Sequence, residues 1–469
     1  MHLGGGDLMQ ANGYEFRGGF PTAETIQHAY DDADLARAIE AYKFFYPTVS
    51  FSAGFTSFEG IGVPTNKCGA VLEGSPRQTV YTPNSDTPYA MVPLDLSAGP
   101  IVVELPPGSL IGIVNDVNQR WVMDLGLPGP DAGKGGMHVI VPPGYKGPLP
   151  SGYYTGMSTT NRVLLALRAI PANGDVAGAI ALIKKVKIRP VRPLNGWTNV
   201  EWVDITDQDW DSTPARLENS LAYWELLHRI VDSEPPYEAY RGEYGELATL
   251  GITKGKPFEP DERMQRILTD AAQRANAQMR VQAFADRRTD RIVWKDRQWE
   301  WVSLRPENGT FDAPTYSDLE AREKWFYQAV VESPAMFRRE PGAGSLCWLS
   351  AHDKTGAYLD GSMRYTLVAP QPVPAKLFWS VTVYDPDTRS EIRTDQGKAA
   401  LRSLVELKGA SGSAVELYFG PDTRKSGEDR WIKTLPGKGW FCYFRIYGPT
   451  TAAFDASWKP GDFEPMSVF

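Results

Sequence analysis

Cysteine is scarce in this chain of 469 residues: Cys68, Cys347 and Cys442 lie far apart and are odd in number. At most one disulfide can form, so no bridge framework carries the fold. The five histidines, His2, His28, His138, His228 and His352, are scattered. No pair has ligand spacing, which excludes a local zinc motif but not a site gathered by folding. No run approaches about 18 apolar residues, so no helix that spans a membrane is expected. The opening MHLGGGDLMQANGYEF has no basic segment followed by an apolar one. No signal peptide is therefore visible, and the expectation is a soluble protein whose compartment, cytoplasm or periplasm, stays open. Long basic runs are missing too, against a net charge of −8 from 49 basic and 57 acidic residues, so no nucleic-acid partner is expected. The densest basic stretch, Lys184 to Arg192, alternates with Val, Ile and Pro, as a strand with one charged face does.

Local catalytic signatures are equally absent. There is no G-x-S-x-G elbow, and Ser411 in GASGS has no evident His partner. The run Gly133, Lys134, Gly135, Gly136 lacks the spacing of a phosphate loop and leads into the strand-like MHVIV rather than a helix. No nucleotide cofactor is expected. The run reads instead as a tight loop in which glycine supplies positive φ and Lys134 reaches a neighbouring carboxylate.

What the chain has is length, turns and short apolar runs. It is too long for one core, so two to four domains are expected, and 42% hydrophobic with 23% charged residues excludes a largely disordered chain. Its 44 Gly and 37 Pro are spread along the length, which favours many short strands joined by turns. Residues 1–21 read as a flexible tail. Residues 22–160 read as a helix, stopped at Pro47, followed by the strands of a β-sandwich: TVYTPN, YAMVPLDL, PIVVELPPG, LIGIVND, RWVMDLG and MHVIVPPGY.

Residues 161–335 read as a mainly helical connecting region. NRVLLALRAI is a strand or short helix with Val163, Leu164, Leu167 and Ile170 on one face, and VAGAIALIKKVKI is a helix feeding a strand. Ser212, Thr213 and Pro214 open a helix whose stripe is Leu217, Leu221, Trp224 and His228. A second helix runs from Asp261 to about Arg287, a hairpin from Ile292 to Val302, and a third helix from Ser317 to Val331 behind the capping box of Ser317 and Glu320. Alternation returns in residues 336–469, which read as a second β-sandwich, a jelly roll. The fold class is thus mainly β with a helical insert.

The stretch YTPNSDTPYAMVPLD, from Tyr81 to Asp95, sets polar residues into a strand-forming sequence. Asn84 and Asp86 around Ser85 suit a turn opening into a strand; the alternative is a site. Asp86, Asp116 and Asp124, with Asp131, are carboxylates of the first β region that suit a hard cation, and turn-capping or pairing with Arg120 and Lys134 is the competing role. Further along, Trp431 and Trp440 bracket TLPGKG and can form a platform for a sugar or aromatic ligand, whereas most aromatics of the last region fill its core. Asp385 and Asp387 around Pro386 make a turn in which Arg389 pairs with either.

The segments TPNSDTPYA (82–90), GPDAGKGGMHVIVPPGY (129–145), FWSVTVYDPDTRSEI (378–392), ELYFGP (416–421) and WIKTLPGKGWFCYFRIYGPT (431–450) resemble a bacterial family in two parts. These are catalogued as domain of unknown function 1254, N-terminal, and domain of unknown function 1214, C-terminal. The resemblance implies an N-terminal immunoglobulin-like β-sandwich, a helical insert and a C-terminal jelly-roll β-sandwich. It implies no functional residues.

The residues themselves suggest a hydrolase or lyase acting on a small or medium organic substrate in a cleft between the first sandwich and the helical insert. Asp86 and Asp116 would be acid/base groups or ligands of a divalent metal (Ca, Mg, Mn or Zn), with Tyr89 also catalytic. Asn84, Arg120, Lys134, Trp431 and Trp440 would bind substrate. The alternative is a non-catalytic glycan or small-ligand binding protein of the cell envelope. Exposed sheet edges also allow a homo-oligomer.

Overall fold

A computed structural model describes residues 9–11, 13–192, 199–307, 310–342, 344–422 and 428–466. Most of the expected tail falls among these: Met9–Ala11, Tyr14–Arg17 and Phe20–Pro21 form three short antiparallel strands, while residues 1–8 and 12 lie outside the described residues. The fold is mainly β, with helical regions around residues 23–61 and 221–284. No helix among the described residues is long and apolar enough to cross a membrane. The chain divides into two compact units, Met1–Val49 with Pro214–Arg280, and Ser50–Thr213 with Val281–Phe469.

The first unit is helical. Its centre is Tyr42, which stacks on Tyr223 at 4.0 Å between ring centroids and donates to the carbonyl of Glu218 at 2.7 Å. Tyr46 donates to the Glu218 carboxylate at 2.9 Å, and the Trp224 indole to the carbonyl of Leu268 at 2.8 Å. These bonds explain a difference from the sequence reading. The helix expected to open at Ser212 begins instead at Leu221, after Ser220, because Glu218 is drawn into the tyrosine cluster and residues 214–219 form turns. Tyr223, Trp224, Leu226, Leu227 and Ile230 make its buried stripe, and His228 sits at the margin against Phe258.

The helix expected to stop at Pro47 continues as Ala23–Ser57. A proline inside a helix forfeits one backbone bond and costs about 3 kcal/mol. Beyond it, Val49, Phe51 and Phe55 are buried, and burying a large apolar side chain contributes about 1.5–3 kcal/mol, so the helix passes through the proline.

The second unit holds four larger sheets. Six strands run in the order Glu201–Asp204, Cys68–Leu72, Tyr89–Asp95, Arg162–Ala169, Leu110–Asp116, Trp121–Gly126. A four-stranded sheet, Tyr154–Met157, Gly136–Val141, Ile101–Leu105, Lys187–Pro190, covers one face of it. Val92, Leu94, Leu165 and Leu167 of the first sheet share a core with Val103 and Ile140 of the second. The helix Val176–Ile183, capped by Asp175, closes that core before the basic strand. Among the described residues two pairings of these two sheets are parallel, Glu201–Asp204 with Cys68–Leu72 and Gly136–Val141 with Tyr154–Met157. At Gly135, φ is +76° and a Cβ would lie 2.7 Å from the carbonyl oxygen of Leu105, so the glycine run is the tight loop the sequence suggested.

C-terminal to residue 281, five strands run in the order Glu300–Trp301, Ser345–Ser350, Phe441–Pro449, Ala375–Tyr384, Ala400–Arg402. Opposite lies a four-stranded sheet of Trp431–Lys433, Ala414–Gly420, Tyr365–Pro370 and Glu464–Pro465. Trp348, Val381 and Phe444 of one sheet meet Leu367, Leu417 and Phe419 of the other. The helix Leu319–Gln328 starts two residues after the expected Ser317 and ends three before Val331. Asp318 rather than Ser317 is its cap, accepting from the Ala321 amide at 3.1 Å, while the Ser317 hydroxyl bonds Asp312.

Candidate functional site

Strands with period-2 alternation have two faces. In Arg162–Ala169, the residues Val163, Leu165, Leu167 and Ala169 enter the core with the four-stranded sheet. Leu164, Ala166 and Arg168 face the other way. So do Tyr89 and Met91 of the neighbouring strand and Ile111 and Ile113 on the other side, and all of these line one cavity. In Phe441–Pro449, Cys442, Phe444 and Ile446 are core, whereas Tyr443, Arg445 and Tyr447 face that same cavity. Its volume is about 660 Å³, within the usual range for small-molecule sites. Its walls come from the six-stranded sheet, the five-stranded sheet, residues 50–55 of the long helix and segment 325–338. The walls are mainly apolar, with polar groups gathered at two places.

At the first place Arg168 donates to Thr87 Oγ1 and to the Tyr447 hydroxyl, both at 2.9 Å. Its guanidinium lies over the rings of Tyr89, at 5.1 Å, and Tyr447, at 5.3 Å. Asn84 Nδ2 donates to the same Tyr447 oxygen at 2.8 Å. No carboxylate among the described residues makes an ion pair with Arg168. Burial works against its charge, but the Tyr447 and Tyr89 oxygens and the more distant Asp86 outweigh that and raise its pKa. The Tyr447 phenol is itself pushed up by burial.

Beside this cluster, residues 82–87 tie the N-terminal β region to the C-terminal one. The carbonyl of Thr82 accepts from Arg445 at 2.7 Å, that of Pro83 from Tyr384, and that of Ser85 from Arg402 at 2.6 Å. The Ser85 hydroxyl donates to Glu391 at 2.6 Å. Asn84 Oδ1 accepts from the Asp86 amide at 3.1 Å, which is the expected turn. Asp86 itself accepts from the Ser380 hydroxyl at 2.8 Å through Oδ2, while Oδ1 has no hydrogen-bond partner among the described residues. Burial raises its pKa against the Ser380 bond and the charges of Arg445, Arg168 and Arg402. Asp86 does not line the cavity, though Asn84 and Tyr89 do.

Asp124 occupies the second polar place. It lines the cavity at 7% exposure, and burial pushes its carboxyl up to about 6 against hydrogen bonds from Ser333 and Trp121 and the charge of Arg338. Asp116 is elsewhere: fully buried, it holds the turn after its own strand, accepting from the amides of Asn118 at 2.9 Å and Arg120 at 3.0 Å. Its other oxygen takes Thr159. Arg120 is half-buried near Asp116 and Glu332. Burial, above all, lifts Glu332 to about 8.

The remaining expected residues lie apart from the cavity. Lys134 is exposed and has no ion pair among the described residues. Trp440, 2% exposed, packs among Phe419, Tyr365 and Phe463, and Trp431 donates its indole N–H to the Gly420 carbonyl at 3.0 Å. Among the described residues no three His, Cys, Asp or Glu side chains are grouped to hold a metal ion, so Asp86, Asp116 and Asp124 do not converge. Arg389 lies between the rings of Tyr81 and Tyr327, at 4.5 and 4.4 Å, and Lys438 takes Asp385 and Asp387. The sequence reading missed Arg168, Arg445 and Tyr447. Their signal was an arginine or tyrosine set at the outward positions of an otherwise apolar strand.

The sequence matches the family described as protein of unknown function DUF1254 over residues 69–190 and that described as protein of unknown function DUF1214 over residues 344–451. No curated protein matches the chain. Among solved structures, the VPA0106 protein from Vibrio parahaemolyticus is similar at a TM-score of 0.58 and 17% identity, covering 92% of this chain and 100% of that one. An uncharacterized protein from Burkholderia cenocepacia aligns at a TM-score of 0.40 and 10% identity, over 94% of this chain and 96% of that one. The first likeness concerns the fold alone.

Proposed function

The chain belongs to the two-part family of DUF1254 and DUF1214 proteins, and from that premise we propose that its two β regions jointly enclose a small organic molecule with an apolar body and an anionic head. The body lies on Leu164, Ala166, Ile111 and Ile113, and the head is held by Arg168 with Tyr447 and Asn84. In this reading the first region is the immunoglobulin-like sandwich and the second the jelly roll. The observation that carries it is Arg168, a cationic group lining a mainly apolar cavity with no ion pair among the described residues. Its hydrogen-bond partners are the neutral oxygens of Thr87 and Tyr447, and a carboxylate from the ligand would add a charged one in bidentate form. A glycan fits less well, because most of the exposed wall is apolar.

Titration calorimetry with octanoate and with its uncharged methyl ester tests the proposal. The wild-type protein should bind octanoate, the ester should bind more weakly, and Arg168→Gln should weaken octanoate by about tenfold to a hundredfold, the worth of a hydrogen bond to a charged group. Equal binding of acid and ester would sink the reading. A hydrolase or lyase acting on such a molecule is the second reading. It is favoured by Asp124, a cavity carboxyl lifted to about 6, in the range useful for proton transfer.

A further inference from the structure

We propose that the cavity selects a molecule polar at both ends, an anionic head at Arg168 and a hydrogen-bond donor, hydroxyl or amine, received by Asp124. The inference rests on the reading above and goes further by naming the ligand class, a carboxylic acid with a distal hydroxyl or amino group.

The strand registers fix the spacing. Arg168 is the cross-strand partner of Ile111, and two residues further along that strand Ile113 is the partner of Asp124. The two polar residues are therefore two strands apart and offset by two residues. At about 4.8 Å between strands and about 3.4 Å per residue, their Cα atoms lie about 12 Å apart on one face. Between them the face is Ile111, Ile113 and, from the other neighbour, Ala166, all lining the cavity. No ion pair joins Arg168 and Asp124 among the described residues, and the apolar stretch between them matches an aliphatic spacer.

Asp124 has room for a further donor. A carboxylate offers about four acceptor positions, and Asp124 lines the cavity with Ser333 and Trp121 close enough to oppose the rise that burial causes in its pKa. Ser333 is fixed in turn, since its hydroxyl oxygen accepts from the Met336 amide at 3.3 Å as the cap of Pro334–Phe337. The acceptor is thus held in place by its neighbours. Arg338 also lines the cavity near this end and its charge acts on Asp124.

The test is a ligand series on the wild-type protein, read by calorimetry at pH 7.5: octanoate, 8-hydroxyoctanoate, 8-aminooctanoate and octanedioate. The hydroxy and amino acids should bind about tenfold tighter than octanoate, the worth of one charge-assisted hydrogen bond, and the diacid, which brings no donor at pH 7.5, should not share that gain. Asp124→Asn should remove the advantage of the amino acid over octanoate. Below about pH 6, where Asp124 takes up a proton, the amino acid should lose its advantage in the wild type as well. If octanoate binds at Arg168 as tightly as its distally substituted relatives, the inference falls while the proposed function stands. If none of the four binds, the proposed function falls with it. The wild-type comparison decides the matter even if the Asp124→Asn protein does not fold.

Discussion

Glu391 sits where the two β regions meet, with one carboxylate oxygen taken by Ser85 and the other without a hydrogen-bond partner among the described residues. Burial pushes its carboxyl up to about 7, the Asp86 carboxylate adding to the rise while Ser85, Arg445 and Arg402 oppose it. The folded chain therefore keeps this proton to about pH 7, whereas the unfolded chain releases it near the ordinary glutamate value of about 4.3. Between those values the native state holds the extra proton, so the stabilisation is complete below the unfolded value and is lost as pH rises through the folded one. Urea unfolding at pH 5 and pH 8 should show Glu391→Gln flattening that decline, by up to a few kcal/mol on the scale of about 1.4 kcal/mol per pKa unit. An unchanged slope would mean that Glu391 does not hold the proton. The sequence let Asn84 and Asp86 be read as a turn and as a site, and both readings drew on their short side chains. It could not show that Ser380, 294 positions away, receives Asp86, because such partners are set by packing and leave no local pattern.

At the scale of the strand, alternation does double duty in Arg162–Ala169, serving a core on one face and the cavity on the other. Leu165 is fully buried in the core, so Leu165→Ala should cost about 2–5 kcal/mol in chemical denaturation. Leu164 borders a space that already exists, so Leu164→Ala should cost clearly less and should instead alter ligand affinity. Equal costs would contradict the two-faced assignment. Most strands were legible from their apolar runs and turn residues, because the β period is short and local. Helix ends were less so. Pro47 read as a stop because the favourable burial of Phe51 and Phe55 was invisible locally, and Ser317 read as a cap where Asp318, also bonded to Arg288 and Arg305, took the position. The face of NRVLLALRAI was misjudged for a related reason. Val163 with Leu164, Leu167 and Ile170 is helical spacing, whereas the strand pairs Val163 with Leu165, Leu167 and Ala169.

At the scale of the whole chain, the N-terminal and C-terminal β regions fall within one compact unit, and residues 82–87 bond across it. Arg445 is central to that joint, donating to the carbonyl of Thr82 at 2.7 Å and to Tyr384, with its guanidinium 4.9 Å from the Tyr443 ring. Arg445→Met keeps much of the volume but leaves a buried carbonyl and a phenol without their donor, and each such loss costs about 1–3 kcal/mol. Because the carbonyl belongs to one region and the phenol to the other, the cost should appear in both. Hydrogen–deuterium exchange should show protection falling together in Tyr89–Asp95 and Phe441–Pro449, and the two segments should lose protection at one urea concentration. Loss confined to Phe441–Pro449 would mean that the regions fold independently and that the joint merely rests between them. Joint loss would mean that the cavity walls form only when both regions are in place, and a carboxylate bound at Arg168 should then slow exchange in both segments alike.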